Sequence, residues 1–313
     1  MANTPETPER PDDEVRRSWL VLVVDWVIRR ASRGRAALRG QWTLKLGVYV
    51  VMAFLLLTFI ANCIPSLNGY HPSEYRDAPR LEGPSAAHWM GTDQLQRDVF
   101  SRILSGGKAS LIVAFSAVAL SMTVGSLLGW ISGFSGGWLD RVLSLTMDAI
   151  YSFPSMILAI VLVAMFGSGI APMIWAVGFV YIPTYFRVTR AEVLQVRETS
   201  YVEAIRAVGA SNTRIVLRHV APNTVNAIMA VSSFNLADAI LTVAALSFLG
   251  YGLPPPAADW GFDIQNGQKY LQSGAWWLIT FPGLMIISLS LGFGLIGEGI
   301  SDLVNPKRKH RKI

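Results

Sequence analysis

The sequence predicts an all-α polytopic membrane protein with six transmembrane helices. Of its 313 residues, 52% are hydrophobic and only 15% are charged, a balance that is unusual for a water-soluble domain. The apolar residues are also grouped into runs of roughly 18 residues or more with few or no charges, the length that a helix needs to cross a bilayer core. Six such runs are present, at residues 44–64, 111–133, 149–167, 170–186, 224–249 and 276–297.

The segments around these runs organise the rest of the chain. Residues 1–43 are an N-terminal tail, in which the stretch 18–28 is too short to span and predicts a helix lying in the membrane interface. Residues 65–107 form a long loop after the first span. Residues 108–303 are the core domain with the other five spans, and residues 304–313 are a basic tail.

The distribution of charge predicts the orientation. Basic residues are concentrated at 29–45, 187–218 and 305–313, three regions that six spans place on the same face. The loops 65–107 and 250–275 lie on the opposite face, and their acidic residues offset or outnumber the basic ones. By the positive-inside rule, both termini and the basic segment between spans four and five are cytoplasmic, and the two loops are extracytoplasmic.

A polar segment interrupts the apolar sequence between spans four and five. Within residues 191–208, Leu194, Tyr201, Ile205 and Val208 follow one another at spacings of seven, four and three. These spacings predict one apolar face of a single helix.

The end of this helix and the start of the next are marked by local signals. Gly209 is typical of the position after a helix, where the left-handed conformation costs glycine almost nothing. Ser211 can cap a second short helix that extends to about His219. Pro222 predicts a break before it and is tolerated in the first turn of span five. We call residues 191–222 the elbow.

Two interpretations of the elbow remain open from the residues alone. Because both of its ends continue into transmembrane helices, a force on the elbow would tilt spans four and five, as a docking lever for a cytoplasmic partner requires. An ordinary surface hairpin, with Glu203 as a solvated carboxylate, explains the same residues.

The elbow resembles the EAA loop of permease subunits of ATP-binding-cassette (ABC) importers. The family pattern is E-A-A, three residues, G, nine residues, then I-x-L-P, and Glu203, Ala204, Gly209 and Pro222 match it in register. Three positions depart from the pattern: Ile205, His219 and Ala221. In that family the loop forms the coupling helix, which seats in a groove of the ATPase subunit. The resemblance implies that the four matching residues are the ATPase-coupling residues.

Further motifs, from about residue 44 onward, resemble the C-type permease of dipeptide, oligopeptide and nickel importers. They are MGTDQLQRDVFSR (90–102), GFSGGWLDR (133–141), LSFLGYGLPPP (246–256), ADWG (258–261), FPG (281–283) and GEGISDLVNP (297–306). Gln96 stands where that family usually has glycine, and Val243 stands where an acidic residue is expected.

The resemblance implies a type I ABC importer permease fold in a prokaryotic plasma (inner) membrane. It implies a heterodimer with a homologous permease subunit, two cytoplasmic ATPase subunits and an extracytoplasmic substrate-binding protein, and it implies alternating access driven by ATP. The implied cargo is di- or oligopeptides, with nickel chelates or oligosaccharides as alternatives. No cofactor is implied.

Two polar residues inside span five, Asn235 and Asp238, are candidates for the translocation path. A charge in the hydrocarbon core costs at least about 2.5 kcal/mol, so Asp238 is expected to face the bundle interior or a watery path. It could partly replace the acid that is missing at Val243. A carboxylate bonded to a neighbouring helix is the alternative.

Smaller features predict packing. Small residues on one helix face let backbones approach closely in lipid, and two spans carry glycines of this kind: Gly125, Gly129 and Gly133 in span two, and Gly292, Gly294, Gly297 and Gly299 in span six. Pro154 and Pro282 predict kinks in their spans. In the first long loop, Asp93 and Gln96 predict a capped lip helix at 93–105, suited either to docking a binding protein or to closing the bundle.

Other functional classes find little support. The single Cys63 and four scattered His predict no metal site. The stretch SGGKAS (105–110) has Arg102 and Ala109 where a phosphate-binding loop needs Gly and Ser or Thr. No catalytic arrangement and no nucleic-acid partner are expected, so ATP hydrolysis is assigned to partner subunits. A stand-alone secondary transporter would show internal repeats and more intramembrane charge, and a membrane-embedded enzyme would show a polar cluster across several spans.

Overall fold

The computed structural model describes residues 42–63 and 79–304. Within these ranges the chain is helical, and the pairing of extended segments is limited to one isolated bridge between Thr92 and Asp98. The predicted interfacial helix at 18–28, the N-terminal tail and nearly all of the basic tail lie outside the described residues.

Ten α-helices are defined in the described part of the chain. The longer ones are α1 (Trp42–Cys63), α2 (Val99–Ser135), α3 (Gly137–Tyr151), α4 (Ser155–Phe166), α5 (Ile170–Arg197), α8 (Ala221–Leu246) and α10 (Trp277–Val304). The short ones are α6 (Ser200–Ala207), α7 (Asn212–Ile215) and α9 (Trp260–Gly267). Segments of π-helix at Val216–Val220 and Ser247–Tyr251 extend α8 at its two ends.

Four helical segments of the described chain are long and apolar enough to cross a membrane: α1, α2, the run Asn212–Tyr251 and α10. Helices α3 and α4 would add a fifth span only if counted together, and they are bent by 89°. The predicted fourth span at 170–186 lies in α5, a helix that continues past the span with charged residues such as Arg187, Arg190 and Glu192. Because α5 packs along both α2 and α8 inside the bundle, the six predicted spans agree with the structure in outline.

The third span differs in detail from its prediction. Residues 134–148, which separate the second and third predicted spans, are largely helix α3, which ends at Tyr151. Pro154 directly precedes α4 instead of kinking one continuous helix. Proline has no N–H and disfavours helical geometry at the preceding Phe153. Pro282, by contrast, lies inside the continuous helix α10.

The glycines of α2 pack against α5. A Cβ atom at Gly125 would lie 2.6 Å from the carbonyl oxygen of Ile182, and one at Gly129 would lie 2.7 Å from Cβ of Thr189. Gly133 meets α5 one turn further on. The predicted close packing of this stripe is confirmed, and it holds α2 and α5 together along much of their length.

The glycines of α10 pack against two different helices, α1 and α8. A Cβ at Gly299 would lie 2.5 Å from Leu44 of α1, Gly292 also faces α1, and Gly297 faces α8. No atom lies within 4 Å of a Cβ at Gly294. The packing prediction is therefore confirmed for three of these glycines and wrong for Gly294.

At the end of the bundle opposite the elbow, a buried ion pair closes the loops. Arg102, at the start of α2, is 2% exposed and contacts both carboxylate oxygens of Asp263, with Nη2 2.6 Å from Oδ1. It also donates to the carbonyl oxygens of Pro256 and Ala257. The indole N–H of Trp260 donates to a backbone carbonyl of α2 at 2.8 Å. These contacts fix α9 and the loop before it onto α2.

The separate lip helix predicted at 93–105 is wrong. Its second half is the first part of the long helix α2, and Asp98 caps that helix, accepting from a backbone N–H of the first turn. Asp93 instead accepts from Nε of Arg97 at 2.7 Å and from its backbone N–H at 2.9 Å. Gln96 has a φ of +62°, which no helical residue adopts. Glycine adopts this conformation most readily, which explains the glycine usual at this position in the resembled family.

Candidate functional site

The elbow contains a break that its periodicity did not predict. The expected single helix at 191–208 is wrong, because α5 ends at Arg197 and α6 starts at Ser200. Between them, Thr199 has extended backbone angles (φ −81°, ψ 143°), and its hydroxyl donates to the carbonyl oxygen of Val196 at 2.5 Å. Helix α6 is therefore a short helix of its own that follows the span.

The buried face of the elbow also differs from the predicted one. Val193, Val202, Ile215 and Val220 form a buried cluster, which joins the end of α5, helix α6 and the start of the run into α8. Val208, predicted on the apolar face, is 85% exposed. The cluster holds the elbow rigidly against the bundle and leaves the other side of α6 uncovered.

The turn after α6 was predicted correctly. Gly209 has a φ of +85°, and its N–H donates to the carbonyl oxygen of Arg206 at 3.0 Å. The N–H of Ala210 donates to the carbonyl oxygen of Ile205 at 3.4 Å, which completes the two-bond pattern of a Schellman motif. No atom lies within 4 Å of a Cβ built at Gly209, so the requirement for glycine comes from the backbone angle.

The part of the elbow after Gly209, which we call the second arm, runs directly into span five. Ser211 precedes α7, but its side chain makes no capping hydrogen bond. The predicted break before Pro222 is absent: Ala221 is helical, and its N–H donates to the carbonyl oxygen of Val216 in a π-turn. Pro222 lies in the first turn of α8, as expected. The second arm and span five therefore form one continuous lever.

Side chains connect the two arms. The hydroxyl of Tyr201 donates to the carbonyl oxygen of His219 at 3.2 Å and accepts from Nδ2 of Asn223 at 3.0 Å. The guanidinium of Arg206 lies 5.6 Å from the ring centre of Phe134 at the end of α2. Displacement of α6 would therefore be transmitted both to α2 and to α8.

An ion-pair network, which the sequence reasoning missed, lies next to the elbow. Arg190 of α5 donates to both oxygens of Asp140 in α3, at 2.6 and 2.7 Å, and Ser132 of α2 also donates to Asp140. The hydrogen bonds from Arg190 lower the pKa of the Asp140 carboxyl to about 2. Nη1 of Arg197 donates to the carbonyl oxygen of Gly133 at 2.8 Å. Partners so far apart in sequence leave no periodic signal by which the network could be recognised.

Four of the six predicted site residues lie on or next to the elbow surface. Glu203 and Ala204 are exposed on α6, and Gly209 and Pro222 are exposed at the turn and at the start of α8. Val208, between Ala204 and Gly209 in the sequence, is 85% exposed as well, so α6 and the turn after it present an uncovered surface.

The other two predicted residues lie elsewhere. Asn235 and Asp238 line a cavity of about 440 Å³ between α3, α4, α5 and α8. The hydroxyl of Tyr181 donates to Oδ2 of Asp238 at 2.6 Å. Sixteen residues of helix separate Asp238 from Pro222, or about 24 Å at 1.5 Å per residue. The elbow and the cavity are thus separate features joined by α8.

Comparison with protein families identifies the architecture. The model of the family described as "Binding-protein-dependent transport system inner membrane component" matches residues 125–310, which include the elbow and the cavity-lining residues. The chain belongs to this family. With its apolar helices, this makes it a multi-pass membrane protein of ABC-type permease architecture.

Relatives match over most of their length. The dipeptide transport system permease protein DppC of Alkalihalophilus pseudofirmus is 37% identical over 263 residues, covering 84% of this chain and 85% of the relative. The glutathione transport system permease protein GsiD of Pectobacterium atrosepticum is 38% identical, covering 88% and 90%. The probable D,D-dipeptide transport system permease protein DdpC of Escherichia coli is 38% identical, covering 82% and 86%.

A solved structure supports the fold. The MetNI methionine ABC transporter, in an inward-facing conformation, matches with a TM-score of 0.54 over 65% of this chain and 96% of that chain, at 18% sequence identity. At this level of identity, the match concerns the fold alone. It supports the assignment of a type I importer permease fold.

Proposed function

We propose that this chain is one permease subunit of an ATP-driven importer that takes up di- or oligopeptides. Relatives similar over more than four fifths of this chain are named as permeases of dipeptide and glutathione transport systems. The partners would be a homologous permease, two ATPase subunits and a substrate-binding protein. Nickel chelates and oligosaccharides are alternative cargoes for the same architecture.

The geometry of the elbow is the observation that carries this proposal. A lever must be stiff at its base, accessible at its tip and continuous with the part it moves. The buried valine and isoleucine cluster supplies the stiff base, exposed Glu203, Ala204 and Val208 supply the tip, and the run into α8 supplies the continuity. A solvated hairpin would need none of these three properties.

The proposed orientation follows from the charges. The elbow and both termini would be cytoplasmic, in a prokaryotic plasma membrane, because basic residues are concentrated on that face. ATP binding would close the two ATPase subunits, and the elbow would pass their motion to spans four and five. The interlocked loops at the other end would face the binding protein. No step of ATP hydrolysis is assigned to this chain.

Reconstitution tests the proposal. Purified through an affinity tag in mild detergent, the chain is expected to retain a second permease and two ATPase subunits. Proteoliposomes of this complex, with binding protein on one side and ATP on the other, are expected to accumulate radiolabelled dialanine. Uptake without ATPase subunits would contradict the proposal and indicate a secondary transporter. If nickel chelates or oligosaccharides inhibit uptake and unlabelled peptides do not, the cargo is a nickel chelate or an oligosaccharide and not a peptide.

A further inference from the structure

The carboxylate of Asp238 has no cationic partner among the described residues. The ion pairs found in this part of the chain involve other carboxylates. Oδ2 accepts from the neutral hydroxyl of Tyr181 at 2.6 Å, and that hydroxyl lies 3.2 Å from Oγ1 of Thr242. Because Tyr181 gives its only proton to Asp238, Thr242 is the donor in the second contact. The pair orients the carboxylate without neutralising its charge.

A neutral hydroxyl alone does not offset the cost of a charged carboxylate inside a membrane span. Acidic residues in membrane spans are costly, and they are usually paired or placed on a route for ions or substrates. Asp238 lies near the middle of the predicted span at 224–249, and it is exposed at the cavity, not packed against a basic side chain. A cation that is not part of this chain is the natural partner for it.

The surroundings of Asp238 suit a small polar molecule. The cavity of about 440 Å³ falls within the usual range for small-molecule sites. Thr184 and Ser155 contribute hydroxyl groups to its lining. Asn235, one helical turn from Asp238, also contributes to the lining and is 8% exposed.

We propose that Asp238 binds a primary ammonium group of the cargo as it passes through the cavity. An ammonium group has three N–H donors, which suit the free Asp238 oxygen and the hydroxyl oxygens of the lining. The α-amino group of a peptide has an ordinary pKa near 8 and is therefore largely protonated at pH 7. The cargo class is thus a small peptide with a free amino terminus. This inference rests on the proposed importer function and adds a selective group within the path.

Charged thiol reagents test this inference without the binding protein. In a Cys63→Ser background, which removes the single native cysteine, Thr184→Cys places a thiol in the cavity lining. The assembled complex is treated with a cationic and an anionic methanethiosulfonate. The cationic reagent is expected to react faster, and Asp238→Asn is expected to lower the cationic-to-anionic rate ratio at least about tenfold. Val208→Cys on the elbow is the matched control, whose ratio should not respond.

A protection measurement addresses the cargo. In the Thr184→Cys variant, dialanine amide at millimolar concentration is expected to slow the reaction of the cationic reagent with the introduced thiol. N-acetyl-dialanine amide, which has no ammonium group, is expected to leave that rate unchanged. An unchanged rate ratio in Asp238→Asn, an unreactive thiol, or equal protection by both peptides would overturn the inference. An unchanged ratio is also the result expected if a basic residue of another subunit neutralises Asp238. None of these outcomes affects co-purification with ATPase subunits, so a failure here is distinct from a failure of the proposed function.

Discussion

Replacing Gly209 by valine is expected to lower ATP-driven uptake at least tenfold while the complex still assembles in the membrane. At a φ of +85°, a β-branched residue is strained by about 1–2 kcal/mol or more. Relief of this strain would rotate α6 away from the second arm and break the two turn hydrogen bonds. The surface of the elbow would then lose its alignment while the bundle below stays packed.

A matched variant separates this effect from general strain. Gly274 has a φ of +87°, and like Gly209 it has no atom within 4 Å of an added Cβ, but it lies in the loops at the opposite end. Gly274→Val should therefore cost similar stability without uncoupling ATP hydrolysis from uptake. Measured in proteoliposomes, wild-type uptake by Gly209→Val would refute the mechanical role of the turn. Equal uncoupling by both variants would do so as well.

Replacing Arg102 by alanine is expected to destabilise the protein by about 3–5 kcal/mol, because it leaves a buried carboxylate without its partner. Asp263 would lose its bidentate contact, and the carbonyl oxygens of Pro256 and Ala257 would lose a donor. Thermal unfolding in detergent, followed by tryptophan fluorescence, measures the change. The loops around Trp260 should lose their order first.

The control for this change is an exposed ion pair in the same chain. Arg187 and Asp148 lie 2.7 Å apart, but their side chains are 43% and 57% exposed. Arg187→Ala should therefore cost no more than about 1 kcal/mol. If the two variants unfold at the same temperature, the buried pair does not hold the loops together as inferred.

The helical spans and their packing could be predicted because their signals are local. The spacing of Gly125, Gly129 and Gly133 already indicates one helix face, and α5 lies against it. The conformation of Gly209 follows from its position after a helix. In both cases, residues close together in the sequence determine the local structure.

Other features depend on contacts that sequence periodicity cannot reveal. Asp93 and Asp98 are both plausible caps, and the choice is made by Arg97, which pairs with Asp93. The break at Thr199 is invisible because apolar residues continue at helical spacing on both sides. Tyr181, the donor to Asp238, lies 57 residues away in sequence. Only the packing of α5 against α8 brings these two residues together.

Site-specific cross-linking can show whether the elbow receives force from an ATP-hydrolysing subunit. In the Cys63→Ser background, Ala204→Cys or Ala210→Cys in the assembled complex is treated with a short cross-linker, and Leu271→Cys, 51% exposed in the loops at the opposite end, is the control. Covalent capture of an ATPase subunit from the elbow positions alone, with a yield that changes on ATP binding, is predicted. Failure of both elbow positions to capture such a subunit, in a complex that still takes up cargo with ATP, would show that no ATPase subunit docks on the elbow.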